Sequence, residues 1–591
     1  MRGTPAQGDD VLYRGRGHGA MVLSDGMRRL LIAAFAATLV APAAAGAADP
    51  VMPLADVQPG MRCTALSVVH GTTISSFDVE VLDVIDRARP ELARLLVRVS
   101  GPAVDETGIG EGFSGSPIYC RGPDGVARNV GAISGGIGQY GGTVGLATPI
   151  EQILAEPVQP PSSASRSLTR SSVVGSHSLV GPLTLSGLRP SLAAEFARAA
   201  GKAGRSIVTS AASPRTVGFA PQPLVPGAAV SVGMTSGDIG LGAIGTVAYA
   251  DGAAVWLFGH PFDGAGRRSL FLQDAWIHAV VNNPVGAPEL STYKLGSPGH
   301  DVGSVTNDAT NAVVGGLGAL PQSFPFKVFA RDRDTGRTRS LTTLVANEGD
   351  VGRPVGASIL GLAGSAAVAQ AASDVLGGAP ARQSAEMCVT ITLRELSKPV
   401  RFCERYGVDG SSPNSLAGAL ATDVTRAADI LDSYPFGVLH PTKVDVGLRV
   451  RRGLRQAWIV DATGPRSVRR GKKVKLKLRL RRTMTGTRLS RRFKLRIPRH
   501  MSPGTHTIRL SGTDAEAGST PDDGPDLGIL FEDGPDEGPM PESVDDIRRA
   551  LEELERYDGV TASVGGDEVE AYRDEDLRIS GDARVTLTVK R

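Results

Sequence analysis

Glycine and proline interrupt the sequence along its whole length, and the apolar residues between these breaks form short runs. Glycine supplies 74 and proline 39 of the 591 residues, which is above average usage. The runs are rich in valine, isoleucine, leucine and threonine, a pattern typical of strands bounded by turns. The sequence therefore predicts a mainly β protein. At about 150 residues per domain, its length predicts roughly three or four domains.

Composition excludes two classes of protein. A polytopic membrane protein needs several apolar stretches of about 20 residues, and this chain does not supply them. A wholly disordered chain is also excluded, because hydrophobic residues make up 41% of the sequence and are enough to bury cores. The net charge of +3 indicates no particular partner.

The N-terminal region has the pattern of a signal peptide. Met27-Arg28-Arg29 precedes an uncharged run over residues 30–45, and Ala45-Gly46-Ala47 then offers small residues for cleavage. We predict a signal peptide within residues 1–47, with the start at Met27. A retained N-terminal anchor helix is the alternative. Either prediction makes the mature chain a secreted or cell-envelope protein, so disulfides are permitted.

The four cysteines are therefore candidates for disulfides. Cys388 and Cys403 flank an apparent hairpin, and Cys63 and Cys120 form the other possible pair. Four cysteines allow three connectivities, and the sequence leaves the choice open.

Changes in composition divide the chain into segments. The predicted units are the signal peptide at 1–47, a first domain at 48–375, a small α+β module at 376–440, a basic β-sandwich at 441–512, an acidic linker at 513–541 and a C-terminal helix with strands at 542–591. Within the first domain, strand patterns cover 51–157 and 216–355, and a connection covers 158–215.

The predicted sandwich contains a strictly alternating segment. From Lys473 to Arg481 every second residue is a cation and the others are aliphatic, so period two puts all the cations on one face. A solvated face, partly neutralised by the acidic linker, is the favoured interpretation. Contact with an anionic cell-envelope polymer is the alternative, and we predict no nucleic-acid partner.

One glycine-rich segment has the residues of a nucleophile turn. In Gly110-Glu-Gly-Phe-Ser-Gly-Ser-Pro-Ile-Tyr119, Ser114 can lie on a tight turn with an exposed hydroxyl. The N–H groups of Gly112 and Ser114 can then converge, as an oxyanion hole requires. An ordinary glycine-serine turn is the alternative interpretation.

A serine nucleophile needs a base to take its proton. His260 stands in Phe258-Gly-His-Pro261, at the end of an apolar strand, where it can point from a barrel rim into a cleft. His70 also ends an apolar run and is the competing candidate.

These segments, taken together, resemble the SpoIVB peptidase family of bacterial serine peptidases over about residues 51–355. The matching blocks are Phe77–Val81, Glu106–Ile118, Gly237–Thr246, Gly259-His260, Lys294–Gly296 and Val302–Asp308. The resemblance implies a trypsin-like double β-barrel, with Ser114 as nucleophile and His260 as general base. It implies neither a metal nor another cofactor.

The sequence departs from the family in two ways. The serine block precedes the histidine block, which is a permuted order, but a triad is defined by its geometry and not by chain order. The family's acid, which precedes its serine motif, is replaced by Gly101. Asp105 is the candidate substitute, with Asp238 and Asp263 as alternatives.

The strand after the serine motif is the predicted substrate pocket, by analogy with trypsin-like folds. Its lining residues would be Ile133, Ser134, Gly135 and Gly136. They are small or uncharged, which favours a small or apolar side chain before the cut. The pattern Gly136–Gly141 also fits a dinucleotide fingerprint, but no helix is predicted after it, so we discount that site.

The sequence thus favours an exported serine endopeptidase of the SpoIVB type, capable of self-processing and acting on protein or peptide substrates. Because the acid is missing at Gly101, the alternative is a catalytically inactive peptidase-fold protein that serves as a cell-envelope binding module.

Overall fold

The computed structural model describes residues 48–591 except 138–141, 161–175, 179–182, 203–206, 211–217, 283–291, 352–357, 378–381, 410–414, 514–540 and 556. Of the described residues, 53% lie in strands and 15% in helices, which confirms the prediction of a mainly β protein. The predicted signal peptide lies outside the described residues, as do nearly all of the predicted acidic linker and most of the discounted dinucleotide pattern.

The strands before residue 350 are β1 (Arg62–His70), β2 (Thr73–Ile85), β3 (Arg94–Ser100), β4 (Pro117–Arg121), β5 (Ala127–Ile137), β6 (Val144–Pro149), β7 (Ser176–Ser178), β8 (Leu183–Ser186), β9 (Ile207–Ser210), β10 (Ala229–Gly233), β11 (Thr235–Gly237), β12 (Gly240–Asp251), β13 (Ala254–Leu257), β14 (Gly266–Val281), β15 (Tyr293–Asp308), β16 (Val313–Leu317), β17 (Ser323–Asp332) and β18 (Thr338–Ala346). The later strands are β19 (Arg382–Leu393), β20 (Val400–Asp409), β21 (Pro441–Arg452), β22 (Gln456–Thr463), β23 (Ser467–Arg469), β24 (Lys473–Arg482), β25 (Arg488–Arg496), β26 (Gly504–Gly512), β27 (Val560–Val564), β28 (Asp567–Tyr572), β29 (Arg578–Ser580) and β30 (Asp582–Lys590). The helices are α1 (Ile150–Leu154), α2 (Pro190–Lys202), α3 (Ile359–Leu376), α4 (Ser415–Asp432) and α5 (Val544–Glu553), and short 3₁₀ turns cover Leu54–Asp56 and Gly349–Val351.

Strands β1 to β6 form a closed six-stranded barrel. They pair in the order β4-β1-β2-β3-β6-β5, and β4 also pairs with β5, which closes the ring. In β2 the residues Phe77, Val79 and Val81 are buried while Asp78 is exposed. This period of two directs the apolar side chains into the barrel, as strand geometry requires.

A second ring of six strands follows. Strands β10, β14, β15, β16, β13 and β12 pair in that order, and β10 also pairs with β12, while β8 and β9 extend the sheet beyond β12. The two rings meet where Gly71 bridges Ile277 and where Glu111, in the serine motif, bridges Tyr293. The serine motif therefore lies at the junction of the two rings.

A third sheet joins parts of the chain that the sequence assigned to different units. Its strand order is β11-β18-β17-β21-β19-β20, and β17 pairs in parallel with β21. Strands from both sides of the predicted boundaries at 375/376 and 440/441 share this sheet.

Helices α3 and α4 pack against each other and contribute to the core of the third sheet. α3 has 18 residues and a mean hydropathy of 1.4, so by length and composition alone it could cross a membrane. Within the protein, however, 83% of it is buried. It therefore serves as a core helix of this fold.

The C-terminal region forms two sheets around one core. One has the order β25-β24-β22-β29 and the other β23-β30-β26-β27-β28. The aliphatic residues of the alternating segment, Val474, Leu476, Leu478 and Leu480, are buried in the shared core. The strands after residue 560, which the sequence assigned to a separate unit, belong to these same sheets.

Two disulfides join neighbouring antiparallel strands. Cys63 bonds to Cys120 between β1 and β4, and Cys388 bonds to Cys403 between β19 and β20. Of the three connectivities that the sequence left open, the structure has this one. Two disulfides are consistent with an extracellular protein.

Loss of the Cys63–Cys120 disulfide is expected to cost more stability than loss of Cys388–Cys403. The bonds span 57 and 15 residues. On a chain-entropy account, the losses are about 4 and about 3 kcal/mol. Urea unfolding of two variants, each with both cysteines of one pair replaced by serine, measures these losses in unfolding free energy. A larger loss for the Cys388–Cys403 pair would contradict the entropic explanation.

Candidate functional site

The two glycines on either side of Ser114 have backbone conformations that require glycine. Both Gly112 and Gly115 have φ near +88°. A Cβ atom at Gly115 would lie 1.9 Å from the carbonyl oxygen of Thr246 and 2.7 Å from the backbone nitrogen of Phe258. The positive φ and this close approach together explain why the motif holds glycine at these positions.

The peptide planes that carry the predicted oxyanion donors are fixed. The carbonyl of Phe113 accepts from Ser116 N at 2.9 Å and from Ser116 Oγ at 2.6 Å. The carbonyl of Glu111 accepts from Lys294 N at 2.9 Å. In a trans peptide the N–H points away from the C=O. The N–H groups of Ser114 and Gly112 therefore each have a defined direction, away from these two partners.

Ser114 itself is buried, with 1% of its surface exposed. Its carbonyl accepts from Thr246 N at 2.9 Å. The sequence predicted an exposed hydroxyl at Ser114. The structure corrects this prediction, because the residue is buried. A peptide would have to displace part of the surrounding structure before it reached the side chain.

The turn before His260 is strained. β13 ends at Leu257, and Phe258 and Gly259 then have φ of +67° and +70°. A bulky residue with positive φ is uncommon, and such strain clusters at functional sites. The buried Phe258 ring lies 5.8 Å from the His260 ring, centroid to centroid. The turn thus directs His260 out of the strand and fixes it beside an aromatic side chain.

The ring nitrogens of His260 have distinct roles. Nδ1 lies 2.7 Å from the carbonyl oxygen of Pro261. A carbonyl oxygen can only accept, so Nδ1 donates. In the neutral ring Nε2 then carries the lone pair, which is the atom a general base uses. Nε2 is buried, and the whole residue is 5% exposed.

The loop after His260 is held by Asp308, the last residue of β15. Its carboxylate accepts from the backbone N–H groups of Phe262, Asp263 and Gly264 at 2.6 to 2.8 Å. Asp308 is 1% exposed. Asp308, the last residue of the block Val302–Asp308, thus fixes this loop.

The serine turn and the histidine turn pack on the same strand. Thr246, in β12, donates its N–H to the carbonyl of Ser114, and its own carbonyl accepts from Phe258 N at 3.3 Å. Gly115 N also donates to Ile133 O at 2.7 Å. The structure therefore brings together the two segments that the sequence proposed as partners.

The three candidate acids lie in other contacts. Asp105 is exposed, and its carboxylate accepts from Gly101 N at 2.7 Å, which closes a turn. Asp238 accepts from Thr342 N at 2.6 Å. Asp263 pairs with Arg268 at 2.7 Å. None of these three contacts involves His260, whose Nδ1 bonds to the carbonyl of Pro261.

The competing base lies at the end of β1. His70 is exposed, and its Nδ1 lies 3.0 Å from the carbonyl oxygen of His278. Its ring packs edge-on against Trp276, with centroids 6.4 Å apart. The bonds described for His70 therefore join it to β14 and not to the serine turn.

The predicted pocket strand is covered. The side chain of Ile133 is fully buried in the core of the first barrel. Ser134 Oγ accepts from Thr148 Oγ1 at 2.9 Å, and Gly135 and Gly136 pair with β7. Ile133 thus faces the core and does not line an open pocket. No preference for a substrate side chain therefore follows from this strand.

Sequence reasoning missed a buried amine behind the serine turn. Nζ of Lys294 donates to Ser67 Oγ at 2.7 Å and to Thr246 Oγ1 at 3.1 Å. Ser116 Oγ, whose proton goes to Phe113 O, lies 2.9 Å from the same Ser67 oxygen. All four side chains are buried, and the amine lies 4.5 Å from the centre of the Phe113 ring.

Burial shifts the pKa values of two groups near the serine turn toward neutrality. Burial lowers the pKa of Lys294 to about 7. Burial also raises the pKa of Glu111, in the serine motif, to about 8. Shifted pKa values of this kind cluster at functional sites. The clue in the sequence is that Lys294 is a lone cation in the otherwise uncharged stretch 291–299.

Neither a family model, nor a curated protein, nor a solved structure matches this chain. Among the residues that the structure describes, no group of three or more His, Cys, Asp or Glu side chains is arranged to hold a metal ion.

Proposed function

We propose that the chain is an exported serine endopeptidase of the SpoIVB type, with Ser114 as nucleophile and His260 as general base. One observation carries the proposal: the turns that hold these two residues pack against the same residue, Thr246. The fixed peptide planes at Gly112 and Ser114 support it, because preorganised N–H donors are what a developing oxyanion needs.

In the proposed reaction, Oγ of Ser114 attacks the carbonyl carbon of the scissile peptide while Nε2 of His260 takes its proton. The N–H groups of Gly112 and Ser114 hold the resulting oxyanion. His260 then gives the proton to the leaving amine, and the acyl-enzyme forms. Water, deprotonated by the same nitrogen, attacks the ester. As the intermediate collapses, Nε2 returns this proton to Oγ of Ser114, and the carboxylic acid product leaves.

The carbonyl of Pro261 takes part of the role that an acid has in a triad. It holds the Nδ1 proton and so selects the tautomer with the lone pair on Nε2. It carries no full negative charge, so it stabilises the imidazolium less than a carboxylate would. We therefore propose a slow dyad enzyme.

The two six-stranded rings support a trypsin-like double barrel with a permuted order of serine and histidine. Because Ser114 and His260 are 1% and 5% exposed, the peptidase is proposed to be latent in this form. A partner, a cut or a displaced segment would have to open the site before a polypeptide could enter.

The test is labelling by a fluorophosphonate probe. Purified chain from residue 48 onward is incubated with the probe, natively and in mild urea below the unfolding transition, and the modified peptide is mapped by mass spectrometry. We expect slow native labelling at Ser114 that accelerates as the site loosens. Fully unfolded chain is the control and should not react. No labelling at Ser114 under any folded condition would overturn the proposal.

A second candidate function is a catalytically inactive peptidase fold that binds the cell envelope. The burial of Ser114, together with a carbonyl in place of the acid at His260, favours it. The same labelling series distinguishes the two functions, because an inactive site stays unlabelled as long as the chain remains folded.

A further inference from the structure

The outer face of the sheet β25-β24-β22-β29 carries a dense array of cations, here called the basic face. Its members are Lys473, Lys475, Lys477, Arg479 and Arg481 on β24, and Arg488, Arg492, Lys494 and Arg496 on β25. We propose that the basic face binds a linear phosphodiester polymer of the cell envelope. This inference does not depend on the peptidase proposal.

All nine cations are exposed, because the alternate residues of both strands fill the core. The contrast with Arg491 is informative. Arg491 points to the inner side of β25 and pairs with the buried Asp574 at 2.8 Å. At Arg491 the fold thus supplies a carboxylate to a cation that faces inward.

The outward cations are almost without such partners. Among the residues that the structure describes, only Arg479 has a carboxylate within 4 Å, that of Asp461. The register also places like charges directly opposite each other: Lys473 with Arg496, Lys475 with Lys494, Lys477 with Arg492 and Arg481 with Arg488. Like charges directly opposite on a sheet are destabilising. A bound polyanion would remove this repulsion.

The spacing of the charges fits a repeating anion. Successive outward residues lie about 6.8 Å apart along a strand, and paired strands lie about 4.8 Å apart. Two rows of cations at this spacing can follow a chain with a phosphate on each unit. The exposed cations run in rows along two paired strands, so the face offers length for a ligand. A long linear ligand therefore fits it better than a small molecule.

Two observations favour an envelope polymer over a nucleic acid. The disulfides are consistent with an extracellular location, where wall polymers occur. Binding of single strands relies on several aromatic side chains that stack on bases. The outward residues of β24 and β25 include no aromatic ring, and the exposed Trp458 lies on the neighbouring strand β22.

The test uses polyglycerol phosphate of about 20 units, labelled at one end, with the full chain from residue 48. If about five phosphates are contacted, the slope of log K against log salt is about −3.5, and affinity falls about 100-fold from 50 to 200 mM salt. The variant Lys475→Glu/Lys477→Glu/Lys494→Glu is expected to lose at least about 10-fold in affinity at low salt.

A matched variant changes the net charge equally at exposed positions elsewhere: Lys327→Glu/Arg331→Glu/Lys398→Glu. It should bind nearly as wild type, and far-ultraviolet circular dichroism checks that both variants fold. Equal losses in the two variants would overturn the proposal, because only overall charge would then matter. Tighter binding of oligothymidylate than of polyglycerol phosphate would overturn the choice of polymer, and so would no binding of either.

Discussion

Ser114→Ala is expected to abolish hydrolysis and probe labelling, whereas Ser116→Ala should retain both at a measurable level. Removal of the nucleophile of a serine protease lowers kcat by about 10⁶-fold. Ser116 lies two residues away, and its hydroxyl faces inward, toward Phe113 O and Ser67 Oγ. Its loss would loosen the peptide that carries the Ser114 N–H. The removal of one oxyanion donor costs about 10²- to 10³-fold, so we expect a smaller loss than that.

The measurement is hydrolysis of fluorogenic casein, alongside the rate of fluorophosphonate labelling, in the mild urea that loosens the site. Equal unfolding midpoints of the two variants serve as the control for folding. If Ser116→Ala lost all labelling while Ser114→Ala kept it, the assignment of the nucleophile would be wrong.

Lys294→Met is expected to remove most of a rise in stability that the wild type shows above neutral pH. The folded pKa of Lys294 is about 7, against an ordinary value of 10.5. Between these values the unfolded chain binds a proton that the folded chain lacks, so stability increases with pH. Below pH 7 both states are protonated, and the full cost of burying the charge remains. Between these two pKa values, the free energy of unfolding changes by on the order of 5 kcal/mol because of Lys294.

Urea unfolding of the wild type and Lys294→Met at several pH values between 6 and 10 measures this difference. Other groups titrate in the same range, so the difference between the two curves is the relevant quantity. Lys473→Met, which removes an exposed lysine, should give a curve parallel to the wild type. A Lys294→Met curve that is also parallel would show that the amine is not buried as described.

The local sequence predicted those elements whose pattern is complete within one segment. The alternation from Lys473 to Arg481 corresponds to β24 within one residue. Helix α4 lies within the predicted α+β module at 376–440, and the predicted C-terminal helix is α5, which Ser543 caps. Helix α3 was missed because it is apolar on all sides, so it has no periodic polar face to reveal it.

Long-range pairing could not be predicted in this way. The parallel ladder between β17 and β21 joins residues more than 100 positions apart, across the predicted boundaries at 375/376 and 440/441. In the site, the glycines of the serine motif pointed to Ser114, and the end of an apolar strand pointed to His260. Thr246, Lys294 and Asp308 lie in the blocks that carry the resemblance, but their contacts in the site depend on long-range packing, which no local pattern contains.

The parallel ladder of the third sheet also constrains how this chain can be made. Strand β17 ends at Asp332 and stays unpaired on one side until β21, which ends at Arg452, has emerged. During synthesis the first barrel can close early, but the third sheet must wait for more than 100 further residues. A truncated product that stops before residue 441 would expose an open strand edge, which invites aggregation. Folding of shortened forms should therefore depend on chaperones far more than folding of the whole chain.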